Sequence, residues 1–359
     1  MEIIKKQIEF SPNSRIIAIS DIHGDLTKFK QLLNDVNYDE KKDYLILLGD
    51  YVNRGKENLA TLRYVMSLSK NERCIALLGN HDYLTIDFYE NINEDNYYFF
   101  RWNANTLLRE MCNEAKINLD SDISIKILME KLNNIFKDEF NFIRSLPTVL
   151  ESKDYIFVHS GIKDNNSNNI YDYIAIDSYN NIADKNQKYV IVGHYPSVNF
   201  YENTLNYNPL LNYSNNVFTI DGGNTIKKAG QLNALIITKD EITSKYVDDL
   251  PIYKIIKNQN VSNKDVWKLT WPKNKIEVLE NQDEFCLCYS YKYDSEVYIP
   301  KEFVYEYDGD IFTKDITNFM HNVKINDEVG LLFKTKKYSL VKHKGVIGWI
   351  SNKCIFKED

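Results

Sequence analysis

The chain has 359 residues, 43% of them apolar and 26% charged, a composition that places it among globular proteins and excludes disorder for the bulk of it. That length exceeds one average domain and allows folding without disulfide staples. A net charge of −7 argues against general binding to nucleic acid or to an anionic membrane, because a phosphate backbone needs a basic face.

The amino terminus, Met1 to Gln7, has no apolar signal core, and no run approaches about eighteen apolar residues, so a secreted or membrane-spanning protein is not expected. Cys74, Cys112, Cys286, Cys288 and Cys354 are scattered and form no Cys-x-x-Cys pair. That usage fits a reducing compartment, hence a cytoplasmic protein, and argues against a zinc ribbon. Only Cys286 and Cys288 lie close together, and on a strand they would share a face.

In chain order, the apolar run 16–19 predicts a strand. Leu26, Phe29, Leu32, Leu33 and Val36 then recur near the helical period. A second strand is expected over 44–48, a second helix over 59–68 and a third strand over 74–78. This β-α-β-α-β rhythm indicates a buried α/β core. Residues 84–150 lose it and read as a helical insertion, with an aromatic group, Tyr97 to Trp102, expected to pack inside it. The core returns at 155–158, 189–192, 217–220 and 234–237, in short β-branched or aromatic runs bounded by turn residues. The first domain is therefore expected to span 1–250. Residues 257–264 read as a linker, and 265–359 as a β-rich second domain ending in a small β-barrel.

A polar cluster follows each of five core strands. They are Asp21-Ile22-His23-Gly24-Asp25, Gly49-Asp50-Tyr51-Val52-Asn53-Arg54-Gly55, Gly79-Asn80-His81-Asp82, His159-Ser160-Gly161 and Gly193-His194-Tyr195-Pro196. In open α/β sheets the carboxyl ends of strands form the ligand crevice. Carboxylate, imidazole and amide oxygen together suit manganese, iron or zinc. Two metals sharing a bridge need about six donors, and Asp50 is the natural bridge, since a carboxylate between two cations lowers their repulsion.

These five clusters, in this order, resemble the calcineurin-like metallophosphoesterase superfamily over residues 14–240 outside the insertion. Gly49 to Asp82 is similar to its phosphoprotein phosphatase branch. Gly193-His194-Tyr195-Pro196, Ile220-Asp221-Gly222-Gly223 and Gly230-Gln231-Leu232 resemble bacterial members, which include diadenosine tetraphosphatases. The resemblance implies a four-layer α-β-β-α sandwich. It assigns one metal to Asp21, His23 and Asp50, and the other to Asp50, Asn80, His159 and His194. Arg54 matches the arginine that grips phosphate oxygens, with Asn80 and His81 also at the substrate, and His81 matches the general acid.

The implied activity is hydrolysis of phosphoserine or phosphothreonine in proteins by a hydroxide bridging two divalent ions, manganese first, iron or zinc as alternatives. Two further readings stand beside it. One is a nucleotide phosphohydrolase of the diadenosine tetraphosphatase kind, and the other is a degenerate phosphatase scaffold that binds partners. The substrate would be a phosphoprotein or a phosphorylated small molecule. Two positions depart from the pattern. Asn53 stands where the family has an aspartate that orients and charges the catalytic histidine, so Asn53 is expected to orient His81 with less charge support. Leu78 stands where the eukaryotic branch has a second arginine. Asp25 is expected beside the ligands, whereas Asp82 and Asp221 read equally as support or as caps. His321 and His343 are expected to be structural. The tail resembles a bacterial Src-homology-three-type barrel, which implies a peptide partner.

Overall fold

The computed structural model describes residues 1–91, 105–118, 124–164, 166–176 and 188–356. The aromatic group Tyr97 to Trp102 lies outside the described residues. Internal contacts divide the chain into two units. The first holds Met1–Pro196, Pro209–Ile226 and Gln231–Val247, and the second holds Ser197–Asn208, Lys227–Gly230 and Asp248–Asp359.

The first unit carries strands β1 (Lys5–Gln7), β2 (Ile16–Ile19), β3 (Tyr44–Leu47), β4 (Cys74–Ala76), β5 (Val149–Glu151), β6 (Tyr155–Val158) and β7 (Tyr189–Val192). After β8 (Leu205–Asn206), which belongs to the second unit, come β9 (Leu210–Asn212), β10 (Val217–Thr219), β11 (Leu232–Ile237) and β12 (Ile242–Val247). They form a six-stranded sheet, β1-β5-β6-β7-β10-β9, and a five-stranded sheet, β12-β11-β2-β3-β4. Both are mixed. The strands β2, β3 and β4 run parallel, and β11 joins β2 antiparallel.

The apolar runs are continuous because these strands are buried on both faces. Ile16, Ala18, Ile46 and Leu48 pack with Phe157, Ile191 and Phe218 of the other sheet. Their alternates Ile17, Ile19, Leu45 and Leu47 share a cluster with Phe29, Leu32, Leu62 and Val65, which lie on helices α1 (Leu26–Asp35) and α2 (Asn58–Leu68). Each such side chain contributes about 1.5–3 kcal/mol when fully buried. Helix α1 starts where the Asp25 side chain accepts from Lys28 N, and ends at Asn37, whose φ of 51° supplies a left-handed stop.

Helices α3 (Asn80–Glu90), α4 (Leu107–Glu114), α5 (Ile125–Ile135) and α6 (Lys137–Ser145) lie between β4 and β5, and a short α7 (Tyr171–Ile174) follows β6. Phe88, Leu107, Met111, Leu132, Phe140 and Ile143 bind these helices into the core shared with α1 and α2.

Among the described residues, the regular elements of the second unit are strands and three short 3-10 turns. Its main sheet runs β13 (Ile252–Lys254), β21 (Glu328–Lys334), β22 (Tyr338–His343), β23 (Val346–Ser351) and β8, and a three-stranded sheet is built from β15 (Ile276–Asn281), β16 (Phe285–Ser290) and β17 (Ser295–Pro300). Four shorter strands, β14 (Lys268–Leu269), β18 (Val304–Tyr307), β19 (Asp310–Thr313) and β20 (Ile316–Thr317), complete it as two pairs. No sheet of this unit closes among the described residues, so the extra sheets are present but the expected small β-barrel is not confirmed. Strand β23 lies between β22 and β8, which forms the edge. Cys286 and Cys288 do share the buried face of β16. His321 is buried, with Nε2 3.1 Å from the Val346 carbonyl oxygen.

Candidate metal centre

All six residues expected as ligands lie in the first unit, just beyond strand ends. Asp21 and His23 follow β2, Asp50 follows β3, Asn80 opens α3, His159 follows β6 and His194 follows β7. Asp21, His23, Asp50 and His194 have φ between 51° and 70°. That left-handed region is sparsely populated by residues other than glycine and costs on the order of 1 kcal/mol each. Such turns bring side chains from separate strands together. Two glycines permit the approach. A Cβ on Gly79 would meet Asp50 Oδ1 at 2.3 Å, and one on Gly193 would meet Ser20 Oγ at 1.9 Å and Asp21 Oδ2 at 2.3 Å.

The result is two groups of ligating atoms, Asp21–His23–Asp50 and Asp50–His159–His194, each set lying within 4.8 Å of one another. Asp50 belongs to both. His23 Nε2 is 3.8 Å from Asp21 Oδ1 and from Asp50 Oδ2. His159 Nε2 lies 3.4 Å from Asp50 Oδ2. Asn80 Oδ1 faces His159 Nε2 at 2.9 Å and His194 Nδ1 at 3.0 Å.

These residues fit divalent cations. His159 Nδ1 is 2.8 Å from the Leu48 carbonyl, and His23 Nδ1 is 3.3 Å from the Val52 carbonyl. A proton held there leaves each Nε2 lone pair facing the carboxylates, the arrangement in which imidazole ligates a metal. Asp21 Oδ1 is buried without a hydrogen-bond donor, an acceptor that a cation would satisfy.

Burial pulls His23 down and His194 to about 3. Burial also opposes a charged His159, but the Asp50 carboxylate outweighs it and pushes this imidazole up to about 10. Burial works against the charge on Asp50 as well, yet His159 and His81 hold its carboxyl well below the usual range. A cation at the centre would take over that compensation and leave His159 a neutral ligand.

Arg54 donates from Nε and Nη2 to His81 Nε2 at 3.3 and 3.0 Å. Arginine has no acceptor, so Nε2 is unprotonated and the ring is neutral, with its proton on Nδ1. Asn53 is not on the ring, contrary to expectation. Its Nδ2 donates to the His81 carbonyl oxygen at 3.0 Å, and its Oδ1 accepts from Leu107 N at 2.9 Å. The Leu107 N–H therefore occupies the acceptor oxygen that would have received a proton from the imidazole.

Asp82 is fully buried and accepts three main-chain N–H groups. Oδ2 takes those of Asp50 and Gly79 at 2.7 and 3.0 Å, and Oδ1 takes that of Tyr51 at 2.9 Å. It thus caps α3 and braces the Asp50 turn. Burial, with Asp50 beside it, pushes its carboxyl up to about 8. Asp25 caps α1 and pairs with Lys28 at 2.8 Å, whose Nζ also reaches Asn224 Oδ1 at 3.1 Å. Asp221 accepts from Gly223 N at 2.6 Å. Leu78 is buried in the core, with no exposed surface from which a phosphate could be reached.

The sequence pattern of calcineurin-like phosphoesterases matches residues 14–222, which contain every residue of this centre. The chain belongs to the calcineurin-like phosphoesterase family. It is 29% identical over 205 residues, 57% of this chain and 66% of the relative, to a symmetrical bis(5'-nucleosyl)-tetraphosphatase of Buchnera aphidicola subsp. Schizaphis graminum. A namesake from Nitrosococcus oceani is 49% identical over 67 residues, 19% of this chain and 23% of the relative. The chain thus spans less than two thirds of the length of these curated relatives. A Saccharomyces cerevisiae protein serine/threonine phosphatase structure superposes with a TM-score of 0.43 at 13% identity, covering 69% of this chain and 84% of that one.

Two residues of this phosphoesterase site escaped the sequence reading. Ser20 donates to Asp21 Oδ2 at 2.5 Å, and its place one residue before a ligand could have flagged it. Glu110, on α4, takes the N–H groups of Asn58 and Leu59, each at 2.8 Å. It lies far from them in sequence, and no local signal marks it.

Proposed function

We propose that this phosphoesterase hydrolyses a phosphoanhydride bond in a nucleoside polyphosphate of the diadenosine tetraphosphate class. The observation that carries the reading is the similarity to symmetrical bis(5'-nucleosyl)-tetraphosphatases, 29% identical over 205 residues in one relative and 49% over 67 in another. In it, Asp21, His23 and Asp50 hold one divalent cation, and Asp50, Asn80, His159 and His194 the other, with manganese the first metal to supply. Such ions neutralise phosphate charge and lower the pKa of water. Arg54 grips phosphate oxygens with its planar fork, beside Asn80 and His81. A neutral His81 whose Nε2 already accepts from Arg54 has no proton to give at that atom. This suits a leaving group that departs as an anion, such as a nucleoside diphosphate, better than the alkoxide of a serine.

The shared motifs Gly49 to Gly55 and Gly79 to Asp82 support a second reading, a protein phosphatase acting on phosphoserine or phosphothreonine. Residues 1–250, with the insertion 84–150, would form the catalytic domain, and 265–359 a separate β-rich one. Manganese-loaded protein should be given diadenosine tetraphosphate and a phosphopeptide panel in parallel. Release of two nucleoside diphosphates, at a kcat/KM at least tenfold above that for any phosphopeptide, is expected. The reverse ranking would establish the protein phosphatase, and turnover of neither would reject both.

A further inference from the structure

The segment that begins α4 is tied to the loop carrying Arg54 by more than packing. Arg54 N donates to the Asn105 carbonyl at 2.8 Å, and Leu107 N donates to Asn53 Oδ1. Beyond them, Glu110 accepts from Asn58 N, Asn58 Nδ2 and Leu59 N at 2.6–2.8 Å, so a carboxylate of α4 caps the first turn of α2. Asn53 stands at the centre of this strap and is 1% exposed.

Its amide has only one workable orientation. Leu107 N–H can only donate and the His81 carbonyl can only accept, so oxygen must face the first and NH2 the second. An aspartate could still receive Leu107 but would set an anionic oxygen against the His81 carbonyl oxygen. Asn53 also lacks the partner that a charge-tuning role requires, since His81 Nδ1 makes no hydrogen bond and Nε2 faces Arg54.

We propose that Asn53 is a positioning residue that sets the His81 main chain from the first turn of α4, so that the insertion takes part in aligning the His81–Arg54 pair. The chemistry needs the asparagine found here, and the family's aspartate would not serve. The inference rests on the reading of His81 and Arg54 as groups that act on the phosphate. Its consequence is that whatever displaces α4 alters turnover through the His81 main chain, whose N–H also donates to Asp50 Oδ1 at 2.8 Å.

Two variants separate the halves of the clamp. Asn53→Asp keeps the acceptor for Leu107 and removes the donor to His81, whereas Asn53→Leu removes both. Each should be assayed for manganese content, for kcat and KM on nitrophenyl phosphate, and for amide exchange over residues 105–114. Asn53→Asp should retain native metal content and α4 protection while losing tenfold or more in kcat, with KM changed less than threefold. Asn53→Leu should lose α4 protection as well. Glu110→Gln should lower kcat two- to fivefold by loosening the strap from its far end. A kcat for Asn53→Asp at or above the native value would overturn the proposal, as would a fall matched by metal loss. If the native protein turns over no phosphate ester, the function reading fails on its own. Exchange then decides the clamp, and equal loss of α4 protection in both Asn53 variants would reject it.

Discussion

Asp82 offers a direct measure of what holds the metal-bearing turns in place. Its two oxygens receive the N–H groups of Asp50, Tyr51 and Gly79 in a site with no solvent access. In Asp82→Ala, three buried donors are stranded at about 1–3 kcal/mol each, or about 3–9 kcal/mol together. That is comparable with the whole stability of a typical domain, about 5–15 kcal/mol. Asp82→Asn can place its oxygen where Oδ2 lies and keep Asp50 and Gly79, stranding only Tyr51 against its NH2. It should therefore lose about 1–3 kcal/mol, roughly a third as much. Among the described residues every α-helix belongs to the first unit, so urea unfolding followed by ellipticity at 222 nm, with chelator present, reads this unit. A loss for the asparagine variant equal to that for alanine, or less than about 1 kcal/mol for both, would refute the bracing role.

Asp50→Asn should lower bound manganese and abolish phosphoesterase turnover, because Asp50 alone belongs to both ligand groups; metal analysis showing two equivalents retained with full activity would count against it. Arg54→Ala should raise KM or lower kcat/KM by about 30- to 150-fold, the equivalent of about 2–3 kcal/mol for a charge-assisted fork, with metal content unchanged. In the second unit, burial lowers His321 to about 4 and also lowers His343. Below about 6.5 the unfolded chain takes up protons that the folded one refuses, so stability should fall as pH drops from 6.5 toward 4, by up to about 3 kcal/mol. Urea titrations read from Trp267, Trp271 and Trp349 fluorescence at pH 7 and pH 4.5 would show it, and His321→Asn should flatten the dependence.

Much of the α/β core was legible because its strands are buried on both faces. A run such as Ile16–Ile19 needs no alternation to be read as a strand once a turn residue follows. The polar clusters were legible for a related reason, since nothing in a buried sheet calls for Asp21, Asp50, His159 and His194 at successive strand ends. What stayed hidden depends on partners distant in sequence. The role of Asn53 turns on Leu107 and on a carbonyl, neither of which leaves a mark in the local pattern. The edge of the tail's main sheet was not legible because β23 finds a neighbour in a two-residue strand, Leu205–Asn206, within the stretch read as the catalytic domain.

That pairing bears on how the polypeptide is made. Val198, Leu205 and Tyr207 are fully buried among side chains of the second unit, whose strand Val346–Ser351 leaves the ribosome long after them. The final strand of the first unit, Ile242–Val247, emerges much earlier. Folding in order of emergence would leave Val198, Leu205 and Tyr207 of the Ser197–Asn208 excursion with nothing yet to cover them. A chaperone would meet the nascent chain at this loop. A gene truncated after codon 250 would give a product on which that exposure is permanent, prone to self-association through the unpaired edge of β8.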